Sequence, residues 1–572
     1  MIDYKQQLAA ALENGLDGIS RDDIAGMLEV PANAQMGDYS LPCFKLSKAL
    51  RKAPQQIAEQ LKEYASGKLP QFVARIDAVS GYLNIYIDGA SLARDVVDTV
   101  LGEGERYGSA TEGSGQTVVI DYSSPNIAKP FHVGHLRSTM IGQALYNIHA
   151  FLGYQCIGIN HLGDWGTQFG KQIVAYKRWG VKETVENEGV RELVRLYVRF
   201  HEEAEAHPEL EDEARAEFVK LERGDDESVA LWRWFKEISY RQFNAIYELL
   251  GVSFDSDAGE SFYVDKASEV ADELRGKQLL VEDDGAHIVR LDEFNMAPAM
   301  IVKNDGTTLY HTRDIAAALY RMETYRFDKC IYVTDYAQNL HFAQWFKVIE
   351  LMGHDWASKL VHVPFGRVSL EGGGFSTRKG NAIWLEDVLE QAIDKTLDII
   401  NEKNPALPNK QQVARQVGVG AIVFNDLSTN RIKDVRFSWE AALNFDGETG
   451  PYVQYTHARA CSLLRKAEVA YGAFDRSAFD PALLTGQEEQ GVLKELYVFP
   501  QRVVQAMEKL EPSIISRYLV DLAQSFNRFY HEHPIVIEEP KLRLARLALV
   551  SSVIVALRNG LKLIGLEAPE QI

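Results

Sequence analysis

The sequence predicts a multidomain α/β protein. A parallel-sheet domain with a helical insertion is preceded by a small α/β module and followed by an all-α C-terminal part. Three observations carry this. A strand–turn–helix–strand run occupies residues 117–160, the pattern of a βαβ unit. Further strand-like segments return only after a long, charged, helical stretch. From about Glu386 onward the apolar spacing is nearly all helical. A chain of 572 residues exceeds what one core organises, so about three or four domains are expected.

The elements follow in order. Tyr4–Leu12 and Pro54–Tyr64 have helical spacing, with Pro54 suited to a first helical position. Phe72–Ile87 alternates like strands, and the glycine-rich 101–115 is the linker candidate. Thr117–Ser124 reads as a buried strand, 125–130 as a turn, Gly134–Ala150 as a helix and Cys156–Asn160 as a second strand. This is the opening of a Rossmann-type parallel sheet. Residues 177–251 read as a charged helical insertion. Strand signals return at 286–291, 299–304, 329–335 and 360–370. Leu542–Leu557 is apolar enough for a buried helix.

Hydrophobic residues make up 46% and charged residues 25%, ordinary for a globular protein. The longest apolar run, Leu547–Leu557, spans about half of the roughly 20 residues a membrane-crossing helix needs, so no spanning segment is expected. The N-terminus lacks a basic start followed by an apolar core, which is not a secretory signal. Cys43, Cys156, Cys330 and Cys461 form no CxxC pair, so neither a zinc knuckle nor a disulfide framework is suggested. These features predict a cytoplasmic protein. The formal net charge of −20 argues against a protein that coats nucleic acid. A nucleic-acid partner must be met by local basic patches on an acidic body.

Chemistry first shows at Ser123–Thr139 (SSPNIAKPFHVGHLRST). His132 and His135 are three apart at the opening of a helix and share one side. The helix N-terminus offers backbone N–H groups and positive dipole, which favour a phosphate. Two imidazole donors there suit ATP phosphates and the charge that develops in an in-line displacement at phosphorus. Gly134 removes a side chain where backbone approaches a ligand, and Lys129 adds a point charge. The plainer readings are capping or surface histidines, or a metal site; no third ligand at suitable spacing supports the metal.

The segment Pro125–His135 resembles the "HIGH" signature of class I aminoacyl-tRNA synthetases, and its flanks resemble the arginyl-tRNA synthetases in particular. The resemblance implies that Pro125, Phe131, His132, Gly134 and His135 contact ATP, with both histidines stabilising the activation transition state. Gly372–Asn381 (GGGFSTRKGN) is a glycine-rich basic loop suited to closing over a triphosphate; alone, it also reads as a surface hairpin. By position it resembles the class I "KMSKS" loop, with Ser376 and Thr377 as ATP contacts and Arg378 and Lys379 screening the leaving pyrophosphate. Gly374 and Thr377 stand where that signature has lysines. In family members lacking the lysine, one just before the histidines substitutes, here Lys129. Lys129, Arg378 and Lys379 all remain candidates.

A guanidinium is planar and always charged, so its recognition calls for a carboxylate. Tyr310 and Asp314 lie four apart at the start of a helical stretch and share a face; the plainer reading of Asp314 is an acid satisfying a helix dipole. The run around them resembles the family's TTLYxTRD block, which implies that Tyr310 and Asp314 hold the arginine side chain. Thr334–Gln344 resembles another block, whose glutamine corresponds to Gln338. Asp121 and Asn126 match the residues that hold the α-amino group. His161–Gly170 also matches and is expected at the floor of the site. The short, charged insertion does not look like an editing domain, and a site pairing a buried charge needs none.

Glu448–Ala467 resembles the start of the family's anticodon-binding domain; Arg459, Arg465 and Lys466 suit a phosphate-facing patch or a merely solvated helix face. Asn33–Pro54 resembles the family's extra tRNA-contacting domain. The expected domains are 1–110 (N-terminal, tRNA-contacting), 111–385 (catalytic, with the helical insertion at about 177–290), 386–447 (helical connection) and 448–572 (anticodon-binding). The resemblance implies ATP-dependent activation of L-arginine and transfer to tRNA(Arg), Mg²⁺ with the triphosphate, a monomer, and no membrane partner. No protein metal site is read from the sequence. The alternatives are a class I synthetase of lysyl type and a non-catalytic tRNA-binding paralogue.

Overall fold

The computed structural model describes residues 1–31, 33–304, 308–370, 384–469 and 478–572. The chain divides into two compact units. One comprises Met1–Tyr107, Arg459–Phe499 and Asp521–Leu557; the other comprises Gly108–Ala458, Pro500–Val520 and Arg558–Ile572.

The first unit contains a three-stranded antiparallel sheet, in which Tyr82–Ile87 pairs with both Tyr39–Pro42 and Val73–Val79. The two strands expected within Phe72–Ile87 are therefore a hairpin, turning at Ser80 and Gly81 with positive φ. The expected linker starts as structure: the helix Gly89–Glu103 runs into it. The sequence closes this unit with apolar side chains from distant segments. Tyr4 stacks on Tyr497 at 5.0 Å between ring centroids, and the Tyr107 hydroxyl donates to the Leu496 carbonyl.

The second unit is built on a parallel sheet. β1 (Thr117–Asp121), β2 (Gln155–Ile159), β3 (Lys329–Asp335) and β4 (Leu360–Phe365) lie in the order β4-β3-β1-β2, all parallel. These strands are short apolar runs because both faces are covered. The order reverses beside β1, and ligands bind at the carboxyl ends of strands where such a reversal occurs. Helix α1 (Val133–Phe151) connects β1 to β2 and buries polar residues as well as apolar ones. Fully buried Arg137 pairs with Asp426 at 3.0 Å and donates to the carbonyls of Arg431 and Lys433 at 2.9 and 3.0 Å. All four cysteines are free and buried.

Three expectations need correction. The insertion is helical only through Val264–Gly276. Leu280–Asp283, Ala286–Val289 and Ala299–Val302 then form a separate antiparallel sheet, so the strand signals at 286–291 and 299–304 do not belong to the parallel one. Short apolar runs do not reveal their partners, which is why periodicity alone misplaces them. The stretch 360–370 is two strands, not one. Val368–Leu370 pairs with Val435–Phe437, a strand inside the region expected to be helical. The break falls at Gly366, where a Cβ would meet the Lys433 backbone at 2.5 Å. Last, the helix Pro540–Leu563 is long and apolar enough by length and composition to cross a membrane. Counting an unbroken apolar run missed this, because a few polar residues interrupt it. Since 83% of its most apolar window is buried inside the protein, its apolar surface is already used as core.

Helix α2 (Tyr310–Tyr325) follows the antiparallel sheet, and α3 (Asn339–Leu351) follows β3. The expected helix near Leu385 is observed as Leu385–Lys403. The C-terminal stretch contains the helices Gly450–Lys466, Gln487–Glu508, Ser513–Glu532 and Pro540–Leu563. Of the expected phosphate-facing residues, Arg465 and Lys466 are exposed. Arg459 is half-buried and donates to Asn527 at 2.6 Å, so it serves packing.

Candidate active site

The chain leaves β1 at Asp121 through an unusual turn. Ser123, Ser124 and Ala128 all have positive φ, at 68°, 49° and 55°. Each such residue costs about 1–3 kcal/mol unless its surroundings over-determine it. Here hydroxyls do so. The Ser123 N–H donates to Ser138 Oγ at 3.0 Å, and Thr139 Oγ1 donates to Ser123 Oγ at 2.8 Å. The Ser124 N–H donates to Asn160 Oδ1 at 3.1 Å, and Ser124 Oγ donates to Asp121 Oδ1 at 2.9 Å. The turn thereby brings Asn126 and Lys129 to a cavity of about 670 Å³ at the carboxyl ends of β1 and β3.

His132 and His135 form one wall of this cavity, their rings stacked 3.9 Å apart. His132 caps helix α1: the Gly134 N–H donates to its Nδ1 at 3.0 Å. The His132 N–H donates to His135 Nδ1 at 3.1 Å, closing a reciprocal capping box. A backbone N–H can only donate, so both Nδ1 atoms accept and each ring carries its proton on Nε2. Burial holds the His132 imidazole below its ordinary value; burial, then His132 and Lys129, hold that of His135 well below. Both are thus neutral Nε2–H donors near neutral pH.

Gly134 lines the cavity, but the space its missing side chain leaves is taken by a ring of this chain. A Cβ there would meet His132 Cε1 at 2.8 Å. Phe131 and Pro125 are buried and do not line the cavity. Phe131 stacks parallel to His135 at 5.1 Å and supports the ring from outside the cavity wall. Ser376, Thr377, Arg378 and Lys379 lie outside the described residues.

The same cavity is lined by one face of α2: Tyr310, Asp314, Ala317 and Arg321. The two residues expected there do meet on this face. Tyr310 is exposed. Asp314 Oδ2 accepts from His341 Nε2 at 2.6 Å. Gln338 reaches the rim from the segment before α3 and is also exposed. Asp121 is on the floor, but both its oxygens have partners: Arg321 Nη2 at 2.8 Å and Ser124 Oγ. Asn126 packs its Oδ1 where a Cβ on Gly163 would sit, 2.1 Å away.

The residue ranges 96–439, 453–572 and 3–87 match, respectively, the families described as "tRNA synthetases class I (R), catalytic domain", "DALR anticodon binding domain" and "Arginyl tRNA synthetase N terminal domain". Relatives named arginine–tRNA ligase from Alkaliphilus metalliredigens and Clostridioides difficile are 55% and 54% identical, with the whole of each chain covered. The chain belongs to the arginyl-tRNA synthetase family. Its fold is similar to that of the Thermus thermophilus arginyl-tRNA synthetase, with a TM-score of 0.82 at 28% identity and both chains fully covered. The Plasmodium falciparum arginyl-tRNA synthetase gives 0.80 at 26% identity, covering 99% of this chain and 98% of that one.

For a member of the arginyl-tRNA synthetase family, the cavity residues that the sequence reading did not single out include His161, Glu260, Arg321 and His341. Arg321 had a readable signal, since it continues the spacing of Tyr310, Asp314 and Ala317 along one helix face. His161 opens a block expected at the floor, and burial lowers its imidazole. Glu260 had no local signal. Burial pushes its carboxyl up to about 7, against the opposing pull of Arg313, whose Nη1 is 2.5 Å away. The Arg313 contact marks an ion pair.

Proposed function

We propose that this chain is an arginine–tRNA ligase whose activation step runs in the cavity between the His132–His135 wall and the Tyr310–Asp314 face. The observation that carries this is that a wall of two neutral imidazole donors and the Asp314 carboxylate line one cavity, within a chain that matches this family over its length. The arginine carboxylate attacks the α-phosphorus of ATP. The new bond joins carboxylate oxygen to phosphorus, and the bond to pyrophosphate breaks. The adenylate's carbonyl carbon is then attacked by a terminal ribose hydroxyl of tRNA(Arg), the 2′-hydroxyl in this reading; AMP leaves and the hydroxyl proton is released.

The protein's share is positioning and charge stabilisation. His132 and His135 present Nε2–H groups to phosphate oxygens, adding no fixed charge. Lys129 supplies a cation from the turn, and Arg378 and Lys379, with Ser376 and Thr377, close over the triphosphate. Gly134 meets ATP from the cavity wall, and Pro125 and Phe131 shape that wall from behind. Asp314 meets the guanidinium with Tyr310 beside it and Gln338 at the rim. Asn126 and Asp121 flank the α-amino group, with Asp121 offering lone pairs, since Arg321 cancels its charge. Mg²⁺ enters with the triphosphate; among the described residues no group of three or more His, Cys, Asp or Glu is arranged to hold a metal. The enzyme works as a cytoplasmic monomer, with the N-terminal and C-terminal regions contacting tRNA.

ATP–pyrophosphate exchange tests this directly. Exchange should depend on arginine, measured with and without tRNA(Arg). Absence of arginine-dependent exchange in both conditions would overturn the proposal.

A further inference from the structure

Four carboxylates line the cavity, and each already has a basic partner. Asp121 is paired with Arg321 at 2.8 Å, Glu260 with Arg313 at 2.5 Å, Asp335 with Arg367 at 3.5 Å and Asp314 with His341 at 2.6 Å. The partners differ in one respect that decides what each acid offers a ligand. A guanidinium does not give up its proton in a protein, so Asp121, Glu260 and Asp335 face permanent cations. An imidazole can donate a hydrogen bond while uncharged. A carboxylate held by a neutral histidine therefore stays oriented and keeps its negative charge.

The wiring behind His341 holds its ring in place. Gln344 Nε2 donates to the Ala297 and Pro298 carbonyls at 2.8 and 3.3 Å, which turns its Oε1 toward His311 Nε2, 3.2 Å away. The same nitrogen lies 3.2 Å from His341 Nδ1. His341 Nε2 thereby faces Asp314 Oδ2 at 2.6 Å, and the carboxylate oxygen accepts from it. His311 and Asp314 are three apart on α2, and His341 and Gln344 three apart on α3, so two facing helices interlock through these four side chains.

We propose that His341 is the positioning residue that sets specificity for the guanidinium: it fixes Asp314 through one hydrogen bond to Oδ2 and leaves the other oxygen to the substrate. This deepens the reading of Asp314 given above and rests on it. A permanent cation at the same place would turn Asp314 into a fourth self-cancelled pair, like Asp121, Glu260 and Asp335, and arginine would meet no uncompensated charge.

The test is ATP–pyrophosphate exchange by the full chain with tRNA(Arg) present, comparing His341→Gln, His341→Ala and His341→Lys. Glutamine can donate one neutral hydrogen bond, so the KM for arginine should stay within about threefold of wild type. Alanine removes the support, and the KM should rise about 10-fold. Lysine supplies a fixed cation, and the KM should rise about 100-fold or more. The KM for ATP should change by less than about threefold in all three, which a general loss of structure would not allow. Should His341→Lys fold poorly, the Gln–Ala contrast decides: equal effects of the two overturn the proposal. Wild-type arginine KM in His341→Lys also overturns it, and if Asp314→Asn still raises that KM, the Asp314 reading stands alone. If neither changes it, the Asp314 reading falls as well.

Discussion

Two histidine pairs, one on the cavity wall and one reaching it through His341, use the same side chain in opposite ways. His132 and His135 are wired within one helical turn, to backbone N–H groups of their own segment. His311 and His341 come from two helices, and their partners are side chains: Gln344 at one end and Asp314 at the other. The first pair keeps its Nε2–H donors on a cavity wall. The second turns His341 Nε2 onto the carboxylate of another residue, Asp314. The difference teaches that the ligand-facing atom of a histidine follows from what its other nitrogen is made to do.

Separating the two nitrogens of His135 should give the largest effect. Asparagine places an acceptor near Nδ1 but has no group at Nε2. His135→Asn should keep the helix cap while slowing activation about 100- to 1000-fold. Arginine affinity by calorimetry should barely move. An activation rate within tenfold of wild type would break the claim that Nε2–H does the stabilising. The second pair is broken by His341→Lys, expected at about 100-fold in the KM for arginine and nothing comparable for ATP.

A histidine that does not line the cavity gives the smallest effect and serves as control. His149 is fully buried, donates from Nδ1 to the Leu145 carbonyl at 2.7 Å, and burial pushes its imidazole down to about 4. The unfolded chain takes up this proton as pH falls through about 6.5, while the folded chain does so only near 4. Stability should therefore fall as pH drops across that window, by up to about 3 kcal/mol from this group, and His149→Gln should flatten the slope. A thermal-denaturation profile equally steep in the variant would contradict the assignment.

What was legible in the sequence follows the same division between local and distant wiring. The capping pair, the strand before it and the helix after it lie in one stretch of chain, so spacing alone located them. Tyr310 and Asp314 were found because i and i+4 share a helix face. Glu260 and His341 were invisible, since each acquires meaning only from a residue on another element: Arg313 for the one, Asp314 for the other. Pro125 and Phe131 were assigned to ATP by resemblance; both are buried behind the cavity lining, a distinction that proximity in sequence does not carry. Gly134 was read as a place where backbone approaches a ligand, and beside it stands the His132 ring. The strand signals at 286–291 and 299–304 were correct as strands and wrong as to sheet, because pairing partners are set by tertiary packing.

The central claim is that Asp314 reads the guanidinium. Steady-state ATP–pyrophosphate exchange by Asp314→Asn, which keeps shape and removes charge, tests it most directly. The KM for arginine should rise about 100-fold or more while that for ATP stays within about threefold. An unchanged KM for arginine would contradict the account.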